Sequence, residues 1–389
     1  MRAPAGTMRE TLAPAAQHAA RGTIADGPAG WDDLATTALE ANPLFAPAVT
    51  AASLAHLGDA SVRIAAPCIG GRLVALAPIR PARLGRIAPA MSVWTNLYAP
   101  LGTPLLDAAA PDAAAEALAG EMAGRSARRV LLFPDLPLDG PAATAIRGFA
   151  ERSGRPAVEI GAYARAALLL RPGAAPLRDT LERRRRKEFA RQWRRLAEQG
   201  GLSFRRLVDG PDFERAALAF LALEAGGWKG RQGTALAADP KSRAFALAAL
   251  LGSAPGNATI DELLLGGVPI AMLASFHAGG RAVSWKIAYH ERFARFSPGV
   301  QLMLEASDAW AAAGNVALVD SLAAAGHPMI DGLWPERIRV GLLALGPPGG
   351  SALFSLAVRS AESESALRQK LRALRKRRRS KALREEDVS

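Results

Sequence analysis

Residues 258–290, ATIDELLLGGVPIAMLASFHAGGRAVSWKIAYH, constrain the fold more than any other part of the chain. Three apolar runs in this segment are separated by Gly-Gly pairs at 266–267 and at 279–280. Each run has the length of a strand, and a glycine pair suits the tight turn of a hairpin. The segment therefore predicts three successive antiparallel strands.

Strand and helix patterns continue on both sides of this segment. Further strands are expected where short apolar runs are bounded by turn residues, at 61–67, 72–79, 128–136, 202–208, 316–320, 337–345 and 351–358. Helices are expected where apolar residues recur every three or four positions, at 112–124, 141–154, 177–199, 211–226, 300–313 and from 361 onward. This arrangement indicates an α+β fold with mixed, mostly antiparallel sheets flanked by helices.

Two landmarks occur twice along the chain at similar spacing. CIGG followed by LVALAPI at 68–79 resembles LLGG followed by PIAMLASF at 264–276, and YAPLG at 98–102 resembles FSPG at 296–299. The repetition predicts an internal duplication, with chance recurrence of a common hairpin as the alternative. The expected units are a disordered segment at 1–30, two halves at 31–165 and 166–360, and a basic helical tail at 361–389.

The bulk composition excludes several classes of protein. The chain has 389 residues, half of them hydrophobic, and a single cysteine, Cys68, which excludes an intrachain disulfide framework and a cysteine-based zinc site. His277 and His290 match no metal motif in their spacing, so no metal site is expected. The chain has no apolar stretch of about 18 residues and no secretory signal pattern, so we expect a cytoplasmic protein.

The net charge of +13 is concentrated in two segments. Residues 178–195 hold nine Lys/Arg against three Asp/Glu, and residues 367–384 hold ten Lys/Arg with no acidic residue. This confinement argues against nucleic-acid binding by the whole fold, but it suits a local anionic partner. For each patch the alternatives are a nucleic acid, a peripheral contact with an anionic membrane, and an ordinary solvated face.

The segment 281–313 joins an expected strand, the loop ERFARFSPG and an expected helix. A helix N-terminus exposes unpaired backbone N–H groups and the positive end of the helix dipole. With Arg292 and Arg295 upstream and Gly299 in the first turn, this terminus predicts an anion site for a pyrophosphate-bearing molecule such as coenzyme A. Solvated arginines at an ordinary helix start are the alternative.

Several motifs together resemble one known family. LEAGGWKGRQGTAL at 223–236, WKIAYHERFARFSPGVQLMLEA at 285–306, Asp320 and LWPERI at 333–338 resemble the acyltransferase family named for the cellulose-biosynthesis protein CelD. That family belongs to the GNAT (Gcn5-related N-acetyltransferase) superfamily and is related to the FemAB-type peptidyl transferases. The resemblance is densest between 180 and 340, and it extends more weakly to WTNLYAPLGTPLL at 94–106.

The resemblance implies tandem GNAT-like halves, the second carrying the active site, and transfer of an acyl group from acyl-CoA. Of the superfamily's phosphate loop, Arg/Gln-x-x-Gly-x-Gly/Ala, the segment ARFSPGVQ holds only Arg295 and Gly299, so it departs from the consensus. The residues expected on this basis to bind the acyl-CoA are Arg292, Arg295, Ser297, Gly299, Val300, Trp285 and Lys286.

Acyl transfer needs backbone N–H donors for the thioester oxygen and a base for the acceptor. The strand WKIAY at 285–289 is the expected source of the donors. The candidate catalytic residues are three bases and one general acid for the departing thiolate, namely Glu224, Asp320, His327 and Tyr289. The alternatives are a surface carboxylate for Glu224, a turn or cap residue for Asp320 and a loop residue for His327.

The 223–236 loop is expected to face the acceptor rather than to cradle phosphates. Its glycines are not followed by the Lys-Ser/Thr pair of a P-loop. The substrate-binding candidates are Trp228, Lys229, Gly230 and Trp334. Core packing is the alternative for Trp285, and an exposed strand-edge charge is the alternative for Lys229 and Lys286.

Three functions remain open at this point. The first is an acyl-CoA-dependent N- or O-acyltransferase, an acetyltransferase in the favoured version, acting on a sugar, a nucleotide-sugar or a small amine in polysaccharide biosynthesis. The second is a FemAB-like aminoacyl transferase that takes its donor from charged tRNA, to which the arginine-rich helix points. The third is a non-catalytic scaffold with a degenerate transferase fold, anchored by the basic tail.

Overall fold

A computed structural model describes residues 27–171, 173 and 175–386. Most of the segment 1–30, expected to be disordered, lies outside the described residues. The described helices are Trp31–Thr37 (α1), Pro47–His56 (α2), Pro111–Ala123 (α3), Pro141–Arg152 (α4), Leu177–Thr180 (α5), Arg183–Ala197 (α6), Gly210–Gly226 (α7), Trp228–Arg231 (α8), Pro240–Gly252 (α9), Pro298–Ala313 (α10) and Ala352–Glu386 (α11).

The described strands follow the expected alternation with the helices. They are Arg63–Ala65 (β1), Cys68–Ile69 (β2), Arg72–Leu73 (β3), Ala75–Leu84 (β4), Ala88–Val93 (β5), Leu105–Leu106 (β6), Val130–Pro137 (β7), Ala157–Leu169 (β8), Leu202–Leu207 (β9), Ala258–Leu265 (β10), Val268–Ala278 (β11), Arg281–Tyr289 (β12), Leu318–Asp320 (β13) and Glu336–Leu345 (β14). The predicted α+β fold class is confirmed.

The three strands predicted from 258–290 are confirmed as the antiparallel β10, β11 and β12. Both connections are two-residue Gly-Gly turns. Gly266 and Gly267 have φ of +58° and +81°, and Gly279 and Gly280 have φ of +50° and +77°. Because both central residues of each turn have positive φ, glycine is the residue that adopts them without strain.

In the described residues, one large sheet of twelve strands runs through the molecule. Its order is β1-β4-β5-β7-β14-β8-β13-β12-β11-β10-β9, with β6 paired to β4. On one side β4 and β5 are antiparallel while β5 and β7 are parallel. On the other side β11 and β12 are antiparallel while β12 and β13 are parallel. The two sides repeat one strand plan, as an internal duplication requires.

Strands β8 and β14 are exchanged between the two sides. β14, which comes last in the chain, lies between β7 and β8 in the N-terminal part of the sheet. The last residues of β8 pair with β13 of the other side. The boundary expected at 165/166 falls inside β8, so the strand that ends the first half completes the sheet of the second.

Helices cover both faces of the sheet. In the N-terminal part, residues of α1, α3 and α4 form one apolar core with the sheet, and α11 packs on a second core. In the C-terminal part, α2, α7 and α9 share one core, and α6 and α10 share another. None of the helices among the described residues is both long enough and apolar enough to cross a membrane.

The expectation of a strand at 351–358 is wrong, because this segment begins α11. Its buried residues, Phe354, Ala357 and Val358, recur at a spacing of three and four, which places them on one side of a helix. The Ser351 hydroxyl accepts a hydrogen bond from the Phe354 N–H at 3.1 Å and caps the start of the helix. The basic helix expected from 361 is confirmed as the continuation of α11 to Glu386.

Candidate active site

The two parallel strands of the C-terminal part separate along their length. Arg281–Val283 of β12 pair with Leu318–Asp320 of β13, after which β13 ends and β12 continues to Tyr289. The space beside β12 is a cleft of about 250 Å³. We call it the β12–β13 cleft; its walls are β12, the 321–330 segment and the loop at 97–100.

A bulge in β12 lies at the point where the strands separate. Ser284 opposes Ser275 and Lys286 opposes Ala274 on β11, which leaves Trp285 as the extra residue. The Trp285 ring is buried, and its Nε1 donates a hydrogen bond to the Tyr98 carbonyl oxygen at 2.8 Å. A bulge bends a strand and redirects its side chains. Trp285 thereby fastens the 97–100 loop to the rim of the cleft.

The free edge of β12 supplies backbone donors to the cleft. The Ile287 carbonyl oxygen accepts a hydrogen bond from Lys229 Nζ at 2.8 Å, so it points away from β11. In an extended strand, the N–H and C=O of one residue point to the same side. The Ile287 N–H therefore also faces the cleft, beside the Lys229 ammonium, in the WKIAY strand where the sequence predicted such donors.

Lys229 and Glu224 form a clamp between the 223–236 loop and β12. The Glu224 side chain is fully buried; it accepts hydrogen bonds from Lys229 Nζ at 3.0 Å and from the Leu236 N–H at 2.8 Å. Both carboxylate oxygens are thus engaged in holding the loop. Glu224 is therefore a buried residue that holds the loop, and it is not an ordinary surface carboxylate.

Further contacts dock the same loop onto the residues after β12. Arg231 Nη2 donates to both carboxylate oxygens of Glu291, at 2.9 and 2.7 Å, and Glu291 also accepts from the Trp228 N–H. A Cβ on Gly230 would lie 1.8 Å from the Ala225 carbonyl oxygen, so the turn requires glycine for packing. The 223–236 and 285–300 segments, paired by sequence, meet in space.

Lys286 projects from the bulge into the cleft, and its ammonium lies 5.2 Å from the centre of the Tyr98 ring. Burial lowers the pKa of Lys286; nearby Glu224 opposes this shift and nearby Lys229 adds to it. An ammonium over an aromatic face is stabilised by the ring quadrupole. Within the described part of the chain, Lys286 has no hydrogen bond or ion pair with an acidic side chain.

Asp320 is fully buried at the point where β12 and β13 separate. We call such a point, where two parallel strands of one half meet and separate, a fork. Its Oδ2 accepts hydrogen bonds from Arg165 at 2.7 Å and from Arg281 at 2.8 Å, while Oδ1 accepts from the Leu322 N–H at 3.0 Å. Burial favours the neutral acid, but the two guanidiniums outweigh it and lower the pKa of Asp320. The carboxylate is engaged on every side, so it is placed to hold the fork together.

The Asp320 ion pairs extend into the N-terminal part of the chain. Arg281 Nη1 donates to Glu40 Oε1 at 3.0 Å, and Arg165 Nη1 donates to the Pro100 carbonyl oxygen at 3.1 Å. Burial raises the pKa of Glu40, against the opposing charge of Arg281. This buried network joins the strand fork to two N-terminal loops.

His327 lines the cleft opposite β12, at the end of the 321–330 segment. Its Nδ1 accepts a hydrogen bond from the Ile330 N–H at 3.5 Å, which orients the ring. Tyr289 is half-buried and is not among the residues that line the cleft; its ring is next to Gly299, where an added Cβ would be 3.5 Å from the tyrosine Cδ1. His327 is therefore the base candidate that lines the cleft, and Tyr289 stands at the start of α10.

The predicted phosphate-binding residues lie outside the cleft. Arg292 and Arg295 are exposed, each with its guanidinium over the ring of the phenylalanine that follows it. Ser297 has a φ of +52°, and the next residues turn into α10. Val300 is half-buried and packs on the core beneath α6. The loop forms the outer end of the site, where Arg295 also lines a surface groove against α6.

Trp334 is buried in the core rather than in the cleft wall. Its side chain has no solvent exposure, packs edge-on against Trp310 and donates from Nε1 to the Ser307 hydroxyl at 3.2 Å. The Nε1–H group and the ring of Trp334 are thus both engaged inside the core. The apolar surface that makes a tryptophan a good substrate wall is used here for packing.

Tyr98 is the cleft residue that the site prediction missed. It belongs to the N-terminal part, stacks on Phe245 at 5.7 Å between ring centres and reaches the cleft beside Lys286. The YAPLG repeat at 98–102 was a signal that this loop corresponds to the 296–299 loop. The repeat did not indicate that the 98–102 loop of the N-terminal half contacts the cleft of the C-terminal half.

Residues 183–327 match the family described as acetyltransferase (GNAT) domain. This part of the chain, which contains β12, β13 and part of the cleft wall, is similar to a GNAT acetyltransferase domain. No curated protein matches the chain.

Two solved structures share the fold at low identity. FemX is 12% identical with a TM-score of 0.54, over 82% of this chain and 96% of that chain. A conserved protein of unknown function from Bacteroides thetaiotaomicron is 11% identical with a TM-score of 0.52, over 82% and 98%. A tandem GNAT protein from the clavulanic acid pathway is 19% identical with a TM-score of 0.36, over 82% and 94%.

Proposed function

We propose that this protein transfers an acyl group, acetyl in the simplest case, from acyl-CoA to an amine or a hydroxyl of a small acceptor. The observation that carries the proposal is the β12–β13 cleft, where a free strand edge presents the Ile287 N–H next to the Lys229 ammonium. A thioester carbonyl develops negative charge on oxygen during acyl transfer, and preorganised donors at that position lower the barrier.

The cleft suits the thioester end of the donor. It is about 250 Å³ in volume and has Met303, Met329 and Ile330 among its apolar lining residues. That volume is below the usual range for a whole drug-sized ligand, about 300–1,000 Å³. We therefore place the nucleotide end outside, along the 292–300 loop, where Arg292 and Arg295 would hold its phosphates.

We assign the acceptor side to the Tyr98, Lys286 and His327 walls of the cleft. His327 lines the cleft, whereas Glu224 and Asp320 are held by cations and backbone N–H groups behind its wall, so we take His327 as the base. A histidine has its ordinary pKa near physiological pH and is the commonest general base. Tyr289 remains our candidate for the general acid.

Release of free thiol from acetyl-CoA tests this proposal, with small amines, amino sugars, nucleotide-sugars and neutral sugars as acceptors. Accepted amino or hydroxyl sugars would support a setting in polysaccharide biosynthesis. His327→Gln should lower turnover by about 10²-fold while acetyl-CoA binding persists. His56→Gln, on α2 away from the cleft, is the matched control. Turnover unchanged by His327→Gln would move the base elsewhere.

A second candidate is transfer of an aminoacyl group from charged tRNA. The observation in its favour is helix α6, whose exposed face carries Arg183, Arg184 and Lys187 and whose Arg185 bonds the Gly332 carbonyl oxygen beside the cleft segment. Phosphate contacts of this kind give strongly salt-dependent RNA binding. Unchanged RNA affinity after reversal of these charges would remove this candidate. Absence of both RNA binding and acyl-CoA binding would favour a non-catalytic scaffold.

A further inference from the structure

The β12–β13 cleft contains two lysines in very different surroundings. Lys229 is paired with Glu224 at 3.0 Å and bonded to the Ile287 carbonyl oxygen at 2.8 Å. Lys286 has the Tyr98 ring as its neighbour at 5.2 Å, and in the described residues no carboxylate pairs with it. One amine is thus bonded directly to a carboxylate, while the other lies over an aromatic ring.

The charged and titratable groups around Lys286 come from three elements. Glu224 on α7 is turned toward Lys229 and the Leu236 N–H, and Asp320 on β13 is turned toward Arg165 and Arg281. Lys229 on α8 adds a positive charge, and His327 stands on the opposite wall. Burial and Lys229 both lower the pKa of Lys286, and Glu224 opposes them.

We propose that Lys286 is a self-acylation site, at which the neutral amine takes the acyl group from a thioester bound along β12. This inference rests on the proposed acyl-CoA donor. An N–C bond forms between Nζ and the carbonyl carbon while the C–S bond breaks. The proton lost from Nζ passes to the departing thiolate, so the products are an amide on Lys286 and free coenzyme A.

Acylation of Lys286 would close the cleft to an acceptor. The amide removes the positive charge over Tyr98 and places an acyl group between the tyrosine ring and the 321–330 wall. An enzyme with abundant donor and no acceptor would then inactivate itself. Self-acylation is therefore a limit on turnover that depends on how much acceptor is present.

The test is site-resolved mass spectrometry of the full-length protein after incubation with acetyl-CoA. The chain has seven lysines, so the sites are separable. Binding next to the thioester should make acetylation of Lys286 at least about 10²-fold faster than that of Lys241, an exposed lysine on α9, because bound groups react at high effective concentration. Lys229 should stay unmodified.

The pH dependence and one variant sharpen the test. The rate at Lys286 should rise with pH as the amine loses its proton, and it should level off at a lower pH than for a lysine in water, because burial lowers the pKa of Lys286. Lys286→Arg should remove the modification without moving it to another lysine. Equal rates at Lys286 and Lys241 would overturn the inference.

An electrophile without coenzyme A separates this inference from the proposed function. N-hydroxysulfosuccinimidyl acetate, a water-soluble acetylating reagent, should also modify Lys286 before Lys241. If it does so while acetyl-CoA neither binds in calorimetry nor acetylates Lys286, then acyl-CoA is not the donor, but Lys286 is still the reactive amine. If acetyl-CoA binds and Lys286 remains unmodified, then acyl-CoA is still the proposed donor, but Lys286 is not a self-acylation site.

Discussion

The two halves share a strand plan but differ at the point where their parallel strands meet. In the C-terminal half, β12 continues past its last pair with β13 and leaves an edge open along 284–289. In the N-terminal half, β5 ends at Val93, directly after the pair between Ser92 and Leu132 of β7. The strand that lines a cleft in one half is cut short in the other.

The N-terminal half also fills the corresponding space with its own loop. The Gly102 N–H donates to the Asp135 carbonyl oxygen at 3.1 Å, and the Thr95 hydroxyl bonds Asp135 Oδ2 at 2.7 Å. The same loop carries Tyr98 to the cleft of the other half. The two halves thus differ in role, because one closes its fork and supplies a wall to the fork that stays open.

Removing the anion at the open fork should have the largest effect. Asp320→Asn leaves the buried Arg165 without its counter-charge and Arg281 with Glu40 alone, and breaking a buried pair in this way costs about 3–5 kcal/mol. Urea unfolding measures the loss. Asp139→Asn, which removes an exposed partner of Arg339, is the control and should change stability little. Equal losses would show that the fork does not depend on Asp320.

Acid should weaken the C-terminal half first, because β11 carries the half-buried His277. Burial lowers its pKa to about 4, so the unfolded chain binds a proton at higher pH than the folded chain. Stability should therefore fall as pH drops from about 6.5 toward 4, by about 1–3 kcal/mol. Hydrogen exchange at β10 and β11 measures this, and His277→Gln should flatten the dependence. Equal acid loosening of β4 and β5 would contradict the prediction.

Disturbing the closed fork of the N-terminal half tests whether it supports the cleft. A Cβ on Gly102 would lie 1.9 Å from the Pro134 carbonyl oxygen, so Gly102→Ala should displace the loop at a cost of about 1–3 kcal/mol. Because Tyr98 moves with this loop, acetyl-CoA affinity should also fall. Gly120→Ala on α3 meets no neighbouring atom and should leave both quantities intact. Unchanged acetyl-CoA affinity in Gly102→Ala would show that the cleft does not depend on this loop of the N-terminal half.

The smallest effect is expected at the clamp beside the cleft. Glu224→Gln and Lys229→Met each break the same contact, so a double-mutant cycle should give a coupling of about 1 kcal/mol in unfolding free energy. Both single variants should weaken acetyl-CoA binding together. If Glu224→Gln alone lowers turnover and leaves binding and stability unchanged, Glu224 is the base after all.

Local patterns predicted the parts of this fold that local interactions determine. The three strands of 258–290 and their Gly-Gly turns follow from chain-local hydrophobic spacing and φ preferences. The exchange of β8 and β14 depends on pairing between residues far apart in sequence, which no local pattern records. The segment 351–358 fits a strand as well as a helix, because six of its eight residues are apolar and a short apolar run does not separate the two periods.

The site was predictable in its location but not in the roles of its residues. The motifs at 223–236 and 285–300 meet, as their pairing suggested, and Lys229 and Lys286 both line the cleft. The burial of Asp320 between two arginines and of Trp334 against Trp310 depends on tertiary packing. The wall supplied by Tyr98 depends on contact between the halves, so composition and spacing could not reveal it.

We propose that the C-terminal fork binds the donor while the N-terminal fork is closed. Calorimetric titration with a non-hydrolysable thioether analogue of acetyl-CoA measures this, because the analogue cannot be consumed. We expect one binding site per chain. Two sites per chain, or no binding at all, would contradict it.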